Sequence, residues 1–171
     1  MHRCLLLLAL VGTGAEARQD ITGNRLVLTG PVGFIQGSDK LKPEAEKVLE
    51  AALPYLSDEK TGVTLFRIEG HTSRDEKGGY DQAVTERRAL AVALWFVQRG
   101  VSCKRLLPVG FGGLVSVGNH GTEEGRKANE RIEIAIAKQG QKLVEGKKPE
   151  LNGKIAKPEL CAAAKALAPR E

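Results

Sequence analysis

Residues 70 to 89 read Gly70-His71-Thr72-Ser73-Arg74-Asp75-Glu76-Lys77-Gly78-Gly79-Tyr80-Asp81-Gln82-Ala83-Val84-Thr85-Glu86-Arg87-Arg88-Ala89. An alternating apolar run ends at Gly70, and a helical pattern takes over by about Tyr80. The residues between are small, charged or glycine, the composition of a loop joining two regular elements. Loops held this way by a rigid scaffold commonly carry a domain's binding groups.

Upstream, Val63 to Glu69 places Thr64, Phe66 and Ile68 on one face of a strand and Val63, Leu65 and Arg67 on the other. Apolar residues on both faces indicate a central strand. Before it, Ala45, Val48, Leu49, Ala52, Leu53 and Leu56 follow helical spacing. Pro43 suits the first helical position, Glu44 and Glu46 complement the helix dipole, and Pro54 kinks or ends the helix near its last turn. Leu26, Leu28 and Phe34 suggest a first strand within residues 24–35, bent or placed at an edge by Gly30-Pro31.

Downstream, the pattern predicts a helix from Tyr80 to Arg99, stopped by Gly100. It is apolar without a break from Ala89 to Val97, unlike a surface helix. Core packing accounts for Ala89, Val92 and Phe96. Ala93 and Leu94 form either a small apolar patch for a partner or ordinary variation among small residues. Arg105 to Phe111 reads as a third strand, and Ile132, Ile134 and Ile136 alternate with Glu133, Ala135 and Ala137 in a last strand that buries one face. The order βαβαββ predicts an α/β sandwich (an α+β arrangement), with helices on one face of a mixed four-stranded sheet.

The chain has 171 residues, enough for one domain with short extensions, and 42% apolar residues to build a core. Its net charge of +5 favours acidic partners in general. With aromatic residues at 4%, no stacking platform for nucleic acid is visible, and none is expected as a partner. Residues 1–17 read as a secretory signal: His2 and Arg3, an apolar core from Leu5 to Val11, and a small-x-small site at Ala15-Glu16-Ala17. The apolar run is too short to span a membrane, so a mature chain without a span is expected to begin at Arg18. Cys4 leaves with the signal. Cys103 and Cys161 remain, to be bridged in an oxidising compartment or left as free thiols. The only histidines then left, His71 and His120, lack paired-ligand spacing, so neither metal nor cofactor is expected.

The stretch from Gly70 to Ala89 resembles the signature of the OmpA-like peptidoglycan-binding domain, Gly-His-Thr-Asp, a loop, an Asn and a helix carrying Leu-Ser-x-x-Arg-Ala. His71, Thr72, Arg88 and Ala89 match; Ser73 stands for the Asp and Asp81 for the Asn. Three further segments support the resemblance: Phe34 to Ala45; Gly110-Phe111-Gly112; and Gly125-Arg126 with Asn129-Glu130-Arg131-Ile132-Glu133, where Glu130 replaces the first of two arginines. The resemblance covers residues 24–138. Residues 139–171, rich in Lys, Gly, Gln and Pro, are expected to form a basic, mobile tail, with a short helix around Cys161.

Members of that family hold the stem peptide of peptidoglycan by the free end of its diaminopimelate, one ammonium beside one carboxylate. The resemblance makes Arg88 the carboxylate's guanidinium partner, with a solvated helix arginine as the alternative. Ser73 cannot supply the charge of the family's Asp. Asp75 or Asp81 would have to restore it, unless each is an exposed charge or a helix-start partner. Gly70, His71 and Thr72 are expected to shape the loop. Asn129 belongs to the last motif, and Arg131 is either a second positive group or a partner of Glu133 or Glu69.

The resemblance implies a binding module that tethers the envelope to its wall from the periplasm, in association with the outer membrane or free of it. The alternative is an envelope interaction protein whose wall site is degenerate at Ser73. An enzyme is not expected. Ser73, His71 and Asp75 crowd into five consecutive residues, without the strained turn that presents a nucleophile.

Overall fold

The computed structural model describes residues 18–22, 25–29, 32–35, 38–74, 81–146 and 148–167. The signal stretch, Gly30-Pro31 and Asp75 lie outside them. Strands β1 (Arg18–Thr22), β2 (Arg25–Thr29), β3 (Val63–His71), β4 (Leu106–Gly112), β5 (Ile132–Gln139), β6 (Lys142–Leu143) and β7 (Lys154–Ile155) form one mixed sheet. Its order is β1-β2-β5-β3-β4-β7, with β6 paired to β5. Only β3 and β4 run parallel; the other pairs are antiparallel. The expected four strands are β2, β5, β3 and β4 at the centre. The two-residue strands β6 and β7 were missed because they carry no readable period, and β1, Arg-Gln-Asp-Ile-Thr, because it has a single apolar residue.

β3 lies between β5 and β4, and Phe66 and Ile68 are fully buried on its helix-facing side. Helix α1 (Pro43–Glu50) covers that side with Ala45, Val48 and Leu49. The helix expected to continue through Leu56 is broken earlier than its last turn. Pro54 has no N–H to donate, so the chain turns at Ala51-Ala52 and restarts as α2 (Leu53–Ser57) with Pro54 in its first turn. Helix α3 (Gln82–Gln98) starts at Asp81 and gives way to a turn ending at Gly100, whose φ of 95° is left-handed. Ala93 is fully buried, and Leu94 packs partly buried against the core. The Ala93-Leu94 patch is therefore interior rather than a partner surface, and α3 carries a further helix, α5 (Leu160–Leu167), from the same chain.

The second sheet face is also covered. Arg67 and Glu69 of β3 stand opposite Ala135 and Glu133 of β5, so they share that face. Ala135 and Ala137 are buried there, so β5 buries both faces rather than one. The cover comes from the segment expected to be a mobile tail. Val144 N–H donates to Ala137 O, Arg67 donates to Pro149 O and Glu145, and Gly153 lies so close to Val109 that an added Cβ would meet it at 2.4 Å. Beyond it β7 pairs with β4, Ala156 and Leu160 are buried, and Cys103 is disulfide-bonded to Cys161. Hydrophobic content alone underestimates this segment, because charged hydrogen bonds, strand pairing and a covalent link hold it.

Candidate functional site

The ends of β3 and β4 are set against the first turns of α3. A Cβ on Gly70 would lie 2.3 Å from Thr85 O, so only glycine lets strand and helix approach this closely. The buried Thr85 hydroxyl donates to Gln82 O and accepts from Gly112 N–H, while Gln82 Nε2 donates to Gly110 O at 2.6 Å. Asp81 caps the helix by accepting from Val84 N–H at 2.9 Å. These contacts fix the start of α3 and, a turn further along, the position of Arg88.

Arg88 lines a cavity of about 400 Å³ together with Val32, Gly33, Phe34, Lys42, His71, Lys127, Glu130 and Arg131. The segment before α1 reaches it through Lys42 N–H donating to Gly33 O and the pairing of Phe34 with Leu41. Lys127 belongs to a helix that sequence periodicity did not predict, α4 (Glu123–Asn129). Its signals were present: Thr122 accepts from Gly125 N–H at the start, two glutamates fill the first turn, and Arg126 and Lys127 fill the last. A Cβ on Gly125 would come within 2.0 Å of Asn119 O, so α4 sits directly on the preceding loop.

Among the expected site residues, the cavity brings together Arg88, His71 and Arg131. Arg88 is half-buried, with its guanidinium 4.9 Å from the Phe34 ring centre, so it is not a solvated helix arginine. Arg131 serves in two ways: Nε donates to Glu133, and the residue still lines the cavity. His71 is held by its surroundings rather than by side-chain bonds to backbone. Its ring stacks on Phe111, and Nε2 lies 3.3 Å from Glu69 Oε2. Two nitrogens of the cavity residues, His71 Nδ1 and Arg88 Nε, are buried without a hydrogen-bond partner among the described residues.

The other expected residues have structural work. Ser73 lies away from the cavity lining and is hydrogen-bonded to His120 Nδ1 at 2.9 Å. The same Nδ1 accepts from Arg74 N–H, which leaves Nε2 as the protonated nitrogen, bonded to Ser116 Oγ. The buried Asn129 accepts from Val117 N–H and Gly118 N–H and donates to Gly118 O, holding the same loop. Thr72 N–H donates to Gly112 O, and Asp81 is spent on the cap. Sequence reasoning did not single out Lys42, Lys127, Glu130 or His120. Glu130 and Lys127 lay inside a quoted motif, whereas nothing local marked Lys42 or His120.

Behind the cavity, Glu69 takes Arg67 Nε at 2.6 Å and Arg25 Nη1 at 2.9 Å, and Arg25 also bonds Glu133. Burial by itself would push the Glu69 carboxyl up; the His71 hydrogen bond and the Arg67 and Arg25 charges outweigh it and hold the carboxyl at about 2. Glu69, His71 and Glu133 have ligand-type atoms within 4.8 Å of one another. Arginines already occupy these carboxylates, which makes the cluster an internal charge network.

A mixed sheet with helices on one face, opening beside its strand ends into a cavity rich in cations, defines a small binding module of the α/β sandwich class. The OmpA family model matches residues 33–130, more than half of the chain, and the chain belongs to the OmpA family. It is 29% identical over 123 residues to the outer-membrane lipoprotein YfiB of Pseudomonas aeruginosa, covering 72% of this chain and 71% of that one. It is 30% identical over 110 residues to the peptidoglycan-binding protein ArfA of Mycobacterium bovis, covering 64% of this chain and 33% of that one. The peptidoglycan-associated lipoprotein of Burkholderia pseudomallei shares its fold with a TM-score of 0.52 at 23% identity, over 61% of this chain and 86% of the other. Among the described residues no helix is long and apolar enough to cross a membrane.

Proposed function

We propose that this domain binds peptidoglycan non-covalently, taking the free diaminopimelate end of a stem peptide into the cavity and so tethering the cell envelope. One observation carries the reading: the Arg88 guanidinium lines the cavity with no ion pair among the described residues, stacked on Phe34 and available to a carboxylate. A fork of donors held over an aromatic ring suits a planar carboxylate. Lys42, Lys127 and Arg131 add positive charge around it. The work is binding rather than catalysis: Ser73 is bonded to His120, His71 to Glu69, and His120 is completed by a serine instead of an acid. The periplasm is the compartment this reading requires, and the Cys103–Cys161 disulfide suits it.

The reading of an interaction protein with a degenerate site loses the surface that favoured it, since Ala93 and Leu94 pack inward. Co-sedimentation with purified cell wall tests the proposal. The protein should pellet with wall carrying free diaminopimelate ends and stay in solution with wall from which those ends are removed. Equal pelleting with both would overturn it.

A further inference from the structure

Among the described residues that line the cavity, one is a carboxylate, and that is Glu130. It stands at the end of α4, where its backbone N–H closes the helix on Arg126 O. Its side chain is exposed and makes neither an ion pair nor a hydrogen bond among the described residues. Arg88 lines the same cavity, also without an ion pair, so the two opposite charges share one space without pairing with each other. A ligand carrying both signs, placed between them, satisfies both.

Resting on the diaminopimelate reading above, we propose that Glu130 is the acceptor for the ligand's ammonium group and so determines specificity for a free amine. The obvious loop candidates are otherwise engaged: Ser73 is bonded to His120, and Asp81 caps α3. Among the described residues the negative charge comes from α4, on the side of the cavity formed by Lys127, Glu130 and Arg131, while Arg88 on α3 takes the carboxylate. The neighbouring cations do not replace this role. Lys127 and Arg131, paired with Glu123 and Glu133, offer an ammonium no acceptor, so without Glu130 the described lining holds no carboxylate for it.

The test uses two soluble stem peptides, one ending in diaminopimelate with its distal amine free and one with that amine acetylated, titrated calorimetrically into the whole chain. Wild type should bind the free amine roughly tenfold more tightly. Glu130→Gln, which disturbs no side-chain bond among the described residues, should abolish that preference while binding the acetylated peptide as well as wild type or better. The direction is diagnostic, because removing a negative charge strengthens general attraction to an anionic peptide, so a loss confined to the free amine cannot come from net charge. Retention of the preference in Glu130→Gln, or its loss in Asp75→Asn instead, would overturn the assignment. Arg88→Ala is the control for the underlying reading. If it leaves binding of both peptides unchanged, the cavity is not the site, and the proposal falls with it.

Discussion

The Ser73 hydroxyl donates to His120 Nδ1 across 47 positions of sequence, at 2.9 Å. Through this bond the loop after β3 is latched to the loop before α4, and Ser116 completes the latch on the other ring nitrogen. The residue that stands for the family's Asp spends its hydroxyl on this bond.

Replacing it should therefore act on stability before affinity. Ser73→Ala should cost about 1 kcal/mol, read as a lower denaturant midpoint at unchanged slope. Ser73→Asp brings a carboxylate against a nitrogen that already accepts from Arg74 N–H. It should destabilise further and leave wall binding no tighter. A gain in affinity with stability intact would show that position 73 faces the ligand.

At Arg88 the outcome should grade with chemistry. Arg88→Ala should weaken wall binding by roughly ten- to a hundredfold, the effect of losing a charged hydrogen bond. It should also cost about 0.5 to 1 kcal/mol of stability through the contact with Phe34. Arg88→Lys keeps the charge and loses the fork, so its affinity should fall between wild type and alanine. Equal binding by all three would remove Arg88 from the site.

The buried Glu69 carboxyl makes stability depend on acid. Its folded value, about 2, lies below the ordinary 4.5, so the unfolded chain takes up the proton first as pH falls. The contribution is complete above about pH 5 and drains away between there and about pH 2. It amounts to roughly 3 kcal/mol. Urea midpoints measured from pH 6 to pH 2 should fall through this window, and Glu69→Gln should flatten the slope. A wild-type midpoint constant to pH 3 would show that Glu69 is not held in this way.

The disulfide spans 58 positions and ties α5 beside the turn that precedes β4. Reduction should lower stability by roughly 2 to 4 kcal/mol and raise amide exchange in α5 before β3. Non-reducing mass spectrometry should find one peptide linked through Cys103 and Cys161. Freely alkylated thiols in exported protein would contradict the bridge.

The sequence by itself determined the order of the elements and the middle of the sheet. Alternation in Val63–Glu69 and Ile132–Ala137, helical spacing after Pro43 and after Asp81, and the glycine stops are all set by neighbours a few residues apart. It also singled out Arg88 and Arg131, which both line the cavity, because motif spacing sets one within a helix and the other just before a strand. The tertiary structure alone decided what each polar residue does. Ser73 reaches His120, Asn129 reaches Val117 and Gly118, and Asp81 turns to its own helix, leaving Glu130 as the carboxylate in the cavity among the described residues. Residues 139–171 looked too polar to fold because local composition counts only apolar burial. It could not register Arg67, which waits on the second sheet face for Pro149 O and Glu145. Periodicity is local, whereas a hydrogen bond between loops depends on where the whole chain brings them, and that long-range geometry made this site.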